Sequence, residues 1–113
     1  MTDQELQELR GWSAGLMGWR DHNRTTLIWI NPDTHFVIAK SKWCPNDPTT
    51  GQIWMVVDRM RELGAYLRGL MYSPYTQKWT AMFTDVDSEL GTAVDDNPCL
   101  AILKAAKATE DQC

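Results

Sequence analysis

Few side chains in this 113-residue chain have the chemistry to form a catalytic or metal site. His22, His35 and Cys44 offer imidazole and thiol groups, which are zinc ligands, but they lack the spacing of zinc motifs. Cys44 could instead act as a nucleophile with either histidine as its base, although an inert thiol is the simpler interpretation. The sequence has no glycine-rich phosphate-binding loop. We therefore expect no catalytic residue, no metal and no cofactor.

Carboxylates gather near the end of the chain, where residues 85–113 contain seven Asp/Glu and two Lys/Arg of a chain with a net charge of −4. Asp85, Asp87 and Glu89 could bind calcium, but the segment lacks the glycine and distal glutamate of an EF-hand loop. Asp95 and Asp96 extend the run, and no basic residue interrupts it. The segment 85–96 is interpreted either as a solvated loop or as an anionic surface that attracts a basic protein partner.

Six tryptophans are present, at positions 12, 19, 29, 43, 54 and 79. A domain of this size cannot bury six large rings completely, so some should form the core and others a contact surface. Two of them accompany basic residues with which they could bind a small anionic ligand. That set is Trp19, Arg20, His22, Arg24, Lys40, Lys42 and Trp43. A pI of about 5.0 argues against nucleic acid as the ligand.

These residues must be positioned by helices and strands whose signals alternate along the chain. Thr2 and Glu5 have the spacing of a capping box and predict a first helix, which Gly18 should end as a left-handed cap. Two β-branched and aromatic runs, 25–30 and 35–39, flank a proline-containing turn and predict a hairpin. Because both strands are apolar on both faces, the sheet should be covered on both faces.

A second helix follows. Two N-caps are possible. Either Asp47 is the cap and Pro48 the first helical residue, or Thr49 is the cap and forms a capping box with Gln52. Gly64 should end it. Its apolar stripe is Ile53, Val56, Val57, Met60 and Leu63, of which Ile53, Val57 and Met60 should be buried. Trp54 lies off this stripe, so it is either covered by a second element or partly exposed.

Strands are predicted over 65–72 and 78–84, followed by the acidic loop and by a last helix that begins at Asn97-Pro98. The tail 107–113 should fray. The order α-β-β-α-β-β-α predicts a single α+β domain over 1–113, with about four mostly antiparallel strands and helices on both faces. Three widely spaced cysteines favour a reduced cytosolic compartment, and we expect neither a secretory signal nor a membrane span.

Four short motifs, taken in order and spacing, resemble the bacteriophage ABA sandwich domain family over roughly residues 5–107. They are Met17-Gly18-Trp19, Trp43-x-Pro45, Tyr72-Ser73-Pro74 with Trp79-Thr80-Ala81-Met82-Phe83, and Asn97-Pro98-x-Leu100-Ala101-Ile102-x-x-Ala105-Ala106. The resemblance implies a small phage or prophage protein with helices on both faces of a sheet, made in the cytoplasm of the bacterial host. It implies no activity, because none is established for the family, and it carries over no functional residue.

The favoured function is a non-enzymatic binding protein that contacts a host protein, such as a component of a bacterial defence system, and inhibits it. The candidate contact residues are Trp54, Asp85, Asp87, Glu89, Asp95 and Asp96. The alternative is a protein that sequesters a small anionic nucleotide-type ligand, and a second alternative is an enzyme with an unrecognised active site. Neither nucleic acid nor membrane is expected as a partner, and self-association into a homo-oligomer is left open.

Overall fold

The computed structural model describes residues 2–22 and 25–111, and the chain divides into two compact units, Met1–Cys44 (unit 1) and Pro45–Cys113 (unit 2). Within the described ranges there are three α-helices and two three-stranded antiparallel sheets. The α+β class and the antiparallel pairing are confirmed. The strand number differs from the prediction, because the described residues form six strands in two sheets where about four strands in one sheet were predicted. The single domain over 1–113 stays a prediction.

Unit 1 begins with helix α1, Asp3–Leu16. The hydroxyl of Thr2 accepts a hydrogen bond from the backbone N–H of Glu5 at 3.1 Å, as the capping box predicts. Gly18 adopts a φ of 83° just after the helix. Because only glycine adopts this left-handed conformation at little cost, it ends the helix where the sequence indicates.

The first sheet has the order β1-β2-β3, formed by Arg20–His22, Thr25–Ile30 and Val37–Ala39. The predicted hairpin is confirmed for β2 and β3, and the side chain of Asn31 holds its turn by accepting from the N–H groups of Asp33 and Thr34. Strand β1 was not predicted, because its three residues are polar and carry no strand signal. A single 3₁₀ turn, Lys40–Lys42, follows β3.

Unit 2 opens with a loop and helix α2, Ile53–Glu62, which starts later than predicted. Both predicted caps are wrong, because the Asp47 carboxylate accepts from the N–H and hydroxyl of Thr49 and so closes a turn ahead of the helix. Gly64, with a φ of 91°, follows the helix end as predicted.

The buried face of α2 differs from the predicted stripe at two positions. Ile53, Val56 and Met60 are buried as expected for one helical face. Val57 is only half-buried, so its predicted burial is wrong, and Leu63 at the end of the predicted stripe is 57% exposed. The face is narrower than predicted and is centred on Val56.

The second sheet has the order β4-β5-β6, formed by Tyr66–Ser73, Lys78–Thr84 and Glu89–Asp95. Strands β4 and β5 match the prediction. The expectation of a loop over 85–96 is corrected, because most of this segment forms strand β6. The sequence of β6 lacks the large apolar residues that indicate a strand, because Gly91 and Ala93 occupy the face that packs against a helix.

The last helix, α3, spans Pro98–Asp111 and begins at the predicted Asn-Pro pair. The Asn97 side chain accepts from the N–H of Cys99 at 2.9 Å, and so caps the first turn. The predicted fraying from 107 is wrong within the described residues, because the helix continues to Asp111; residues 112 and 113 lie outside them. No described helix combines the length and the apolar character required to cross a bilayer.

Helix α3 lies on one face of the second sheet. A Cβ placed on Gly91 would lie 2.4 Å from the backbone oxygen of Ala105, so the helix approaches the strand more closely than any side chain permits. Phe83 and Ala81 share this face with Gly91, because they pair with Gly91 and Ala93, and both are fully buried. The core of unit 2 therefore lies between α3 and this face.

Candidate functional site

Trp19 and Trp43, two of the predicted ligand-binding residues, form the aromatic core of unit 1. Trp43 is fully buried and Trp19 nearly so. Their ring centroids lie 4.7 Å apart in an edge-to-face arrangement, and Phe36 stacks on Trp19 at 5.3 Å. Because both indoles are packed against protein, we assign them to the core rather than to a ligand site.

Arg10 of helix α1 is held by the segment that carries Trp43. Its Nε donates to the backbone oxygen of Trp43 at 2.9 Å, and its Nη2 donates to that of Lys40 at 2.8 Å. The indole N–H of Trp43 donates to the Ser13 hydroxyl at 2.9 Å, and this hydroxyl donates to the backbone oxygen of Arg10 at 2.8 Å. These bonds satisfy the buried indole N–H and fix the guanidinium in one position.

Among the predicted basic residues that the structure describes, Lys40 shares a pocket lining with Arg10. Its ammonium forms an ion pair with Asp21 of β1 and lies 4.3 Å from the ring centroid of Trp29 of β2. A cation over an indole face is an attractive electrostatic contact. The Lys40 side chain is therefore positioned from two sides, by a carboxylate and by an aromatic ring.

These residues border a pocket of about 300 Å³ in unit 1. Its lining is Gln7, Arg10, Gly11, Trp29, Lys40 and Ser41. Gln7, Arg10 and Gly11 are three and four residues apart and so share one face of α1. The lining side chains offer two cations, one amide, one hydroxyl and the indole of Trp29, and they include no carboxylate. Such a set of groups can bind a small polar anion.

Most of the predicted anion-binding residues lie elsewhere. Arg20 and Lys42 are exposed, and His22 is half-buried; Arg24 lies outside the described residues. Arg10, Gln7, Trp29 and Ser41 were not predicted as ligand-binding residues. The helical periodicity of Gln7, Arg10 and Gly11 could have indicated a shared polar face on α1, whereas the approach of 40–41 to that face is a long-range contact without a sequence signal.

The acidic residues 85–89 form a tight turn between β5 and β6. One carboxylate oxygen of Asp85 accepts from the N–H of Asp87 at 2.7 Å and from the N–H of Ser88 at 2.6 Å. The backbone N–H of Asp87 and then that of Ser88 stabilise the charged carboxylate and lower the pKa of Asp85. The Thr92 hydroxyl donates to Glu89. Asp85 and Glu89 therefore have local structural roles in this turn.

Asp95 and Asp96 lie at the opposite end of β6. The seven residues of β6 separate the two ends by roughly 20 Å at about 3.3 Å per residue. Asp95 pairs with Lys104 of α3 at 2.6 Å, and its side chain is 15% exposed. Burial raises the pKa of Asp95, but the hydrogen bonds from Lys104 and from the N–H of Asn97 outweigh it, so the pKa lies below its ordinary value. The predicted acidic surface is thus divided in two. The negative charge of Asp95 is compensated by the positive charge of Lys104.

Trp54 is 56% exposed on the first turn of α2, which decides between the two alternatives for this ring. The chain passes from the end of α2 directly into Tyr66 of β4, which pairs with Thr84 beside the Asp85 turn. Trp54 therefore lies at the opposite end of α2 from the residues that lead into β4, roughly 12 Å along the helix axis. The six predicted contact residues do not form one continuous patch around Trp54.

The face of the second sheet opposite α3 carries exposed apolar side chains. Met71, Thr80 and Val94 are paired across the three strands, and Met82 and Thr92 form the adjacent pair. Met71 is 62% exposed and Val94 is 50% exposed. We call these five residues the open sheet face. It departs from the predicted sheet with helices on both faces, because Met71, Thr92 and Val94 remain exposed opposite α3.

The described part of the chain contains no group of three His, Cys, Asp or Glu side chains that could hold a metal ion. No protein-family model, no curated protein and no solved structure matches the chain. The resemblance to the phage ABA sandwich family therefore stays a prediction.

Proposed function

We propose that the chain is a non-enzymatic binding protein, and that it contacts a protein partner through the open sheet face of unit 2. The observation that carries this proposal is the exposure of Met71 and Val94 on one face of a sheet whose other face is covered by α3. An antiparallel sheet with one solvated face ordinarily presents polar residues there.

The open sheet face has the chemistry of an interface centre. Exposed clusters of apolar residues mark sites of contact with other molecules, whereas single exposed apolar residues do not. Methionine is enriched at interfaces because its flexible thioether adapts to the shape of a partner. Met71 and Met82 provide two such side chains on adjacent strands, and Val94 completes the row.

The acidic residues fit the rim of this surface. Asp96 is exposed and follows β6 directly, two residues beyond Val94, while Asp87 is exposed in the turn at the other end of the strand. Charges at a rim accelerate the encounter with a basic partner and contribute little to the lifetime of the complex. Trp54 is a second exposed anchor in unit 2, and the same experiment can test it.

The partner in this proposal is a protein of the bacterial host, in whose cytoplasm a phage protein would act. This part rests on the family resemblance alone, and a defence protein inhibited by direct contact is the specific form that we propose. The proposal requires only a surface with an apolar centre.

Capture from a host lysate tests the proposal, with the chain as bait and quantitative mass spectrometry as the measurement. The test variant is Met71→Lys with Val94→Lys. The matched control is Tyr75→Lys with Gln77→Lys, which adds the same charge at two exposed residues of the turn between β4 and β5. We expect one protein to be retained by the wild type and the control and to be depleted at least tenfold by the test variant, because burying an unpaired ammonium costs more than about 1.4 kcal/mol.

Equal capture by the test variant and the control would place the contact surface elsewhere, and Trp54→Ala would then locate it. Light scattering after size-exclusion chromatography provides a second readout. A wild-type dimer that the test variant dissociates would identify the open sheet face as a homo-oligomer interface and would overturn the assignment to a host protein.

A further inference from the structure

We propose that the pocket of unit 1 lined by Gln7, Arg10, Gly11, Trp29, Lys40 and Ser41 binds a small, singly charged organic carboxylate, whose oxygens are held by the Arg10 guanidinium. This proposal is independent of the protein contact assigned to unit 2. It also differs from the predicted anion site, with which it shares Lys40 alone.

The size of the pocket sets the size of the ligand. Small-molecule pockets span about 300–1,000 Å³, and this one lies at the lower limit with about 300 Å³. It is large enough for an aromatic or branched acid and is not suited to a dinucleotide. The indole of Trp29 provides an apolar surface for the organic part, while Gln7 and Ser41 provide polar groups.

Arg10 is prepared for an oxyanion before a ligand arrives. Two hydrogen bonds to backbone oxygens of Trp43 and Lys40 use two of the five N–H groups of its guanidinium and leave three that can donate to a ligand. The segment that accepts these bonds is anchored by the fully buried ring of Trp43. A guanidinium that is already held in one position loses little conformational entropy when it binds a carboxylate through two parallel hydrogen bonds.

The charge of the pocket selects a monoanion. Arg10 and Lys40 are both cationic, but Lys40 is already paired with Asp21 and lies over Trp29. With Asp21 included, the groups at the pocket leave one uncompensated positive charge. A carboxylate neutralises this charge, whereas the dianion of a phosphate monoester would leave an excess negative charge next to Asp21.

The direct test is a titration with benzoate followed by ¹H–¹⁵N NMR, in which the indole N–H signal of Trp29 is identified by its loss in Trp29→Phe. Benzamide has the same shape without the charge, and AMP carries a phosphate. We expect a saturable shift of the Trp29 signal with benzoate, with a Kd of about 1 mM or below. Benzamide and AMP should each bind at least tenfold more weakly.

Two glycines of α1 supply a matched pair of variants. Gly11 lines the pocket, Gly15 lies one helical turn later outside the lining, and a Cβ on either would meet no atom within 4 Å. Gly11→Leu should fill the pocket and reduce benzoate affinity at least tenfold, while Gly15→Leu should leave it unchanged. Neither variant should lower the thermal midpoint, because leucine is a better helix former than glycine.

A second pair varies charge without changing shape. Gln7→Glu adds a carboxylate at the pocket and should weaken benzoate binding about tenfold by like-charge repulsion. Gln77→Glu makes the same change in an exposed turn of unit 2 and should have no effect. The proposal is overturned if no saturable shift occurs, if Gly11→Leu binds benzoate like the wild type, or if AMP binds as tightly as benzoate.

Discussion

Unit 1 centres its core on two tryptophan rings, whereas unit 2 combines Phe83 and aliphatic residues with a helix whose alanines lie close to a sheet. Both units leave large apolar side chains exposed, such as Leu27 in unit 1 and Met71 in unit 2. In unit 1, Trp43 is enclosed and its indole N–H is bonded to Ser13. In unit 2, α3 buries Ala101, Ala105 and Ala106, and its approach to the sheet is permitted by Gly91.

The difference shows that residue type alone does not decide which apolar side chains face solvent. A large ring is stable in a core when the surrounding chain supplies volume and a hydrogen-bond acceptor for its N–H. A helix packed closely on a sheet requires a small residue where the two approach most closely, as at Gly91, whereas the opposite face has no such restriction. Met71 and Val94 of unit 2 are on that opposite face.

The largest expected effect comes from Gly91, where the close packing of unit 2 is tightest. Gly91→Ala places a methyl group 2.4 Å from the Ala105 oxygen, a backbone atom that moves only with α3. We expect a loss of about 3 kcal/mol or more in the free energy of unfolding, measured with urea. Gly69→Ala in β4 is the control and should change it by less than about 1 kcal/mol, because its Cβ meets no atom within 4 Å. Equal effects of the two variants would refute the close approach.

The corresponding change in unit 1 removes the acceptor of the Trp43 indole. Ser13→Ala leaves a buried N–H without its partner and should cost about 1–3 kcal/mol in the free energy of unfolding. Ser41→Ala is the control in the same unit, because Ser41 is exposed, and it should cost less than about 0.5 kcal/mol. An unchanged urea midpoint in Ser13→Ala would mean that the ring is held by packing alone.

The helices and the central strands could be predicted because their signals are local. Thr2 and Glu5 are three residues apart, and Asn97 caps the turn that follows it. The signal is also local for the hairpin turn at Asn31, whose side chain bonds two and three residues onward. In each case one short segment contains both partners of the interaction, so its sequence is sufficient.

The missed features depend on partners far along the chain. Strand β6 is stabilised by pairing with β5 and by a helix that requires Gly91, and a lone glycine in an acidic segment has the composition of a loop. Arg10 lines the pocket of unit 1 because it bonds to Lys40 and Trp43, which are 30 and 33 residues away. Lys40 was predicted from its charge alone, which is why it was grouped with Trp19 and Trp43 of the core.

A smaller effect is expected from the ion pair that joins β6 to α3. Because the pKa of Asp95 is lowered in the folded chain, its carboxylate stabilises the fold above the ordinary aspartate pKa of about 3.9 and ceases to do so as pH falls through the lower folded pKa. Asp95→Asn should therefore cost about 1 kcal/mol at pH 7, and this difference should shrink below about pH 4.

Urea unfolding of the wild type and Asp95→Asn at several pH values measures this difference. Asp96→Asn is the control on the adjacent, exposed residue and should change the free energy of unfolding by less than about 0.5 kcal/mol. A difference between wild type and Asp95→Asn that grows as the pH is lowered would have the wrong sign and would contradict the role assigned to the Lys104 bond.

The smallest expected effect on stability is at the open sheet face. Its size shows whether these side chains belong to an exposed surface or to a core. Met71 and Val94 are 62% and 50% exposed, so Met71→Lys and Val94→Lys each remove little buried apolar area. Each should change the free energy of unfolding by less than about 0.5 kcal/mol in urea titrations at micromolar protein. If either variant instead costs about 2 kcal/mol, and the cost increases with protein concentration, the face is buried by self-association in solution. A small cost together with loss of partner capture is the combination expected of a surface that is apolar because it binds another protein, and it would distinguish Met71 and Val94 from the buried rings of Trp19 and Trp43 in unit 1, which contribute to folding.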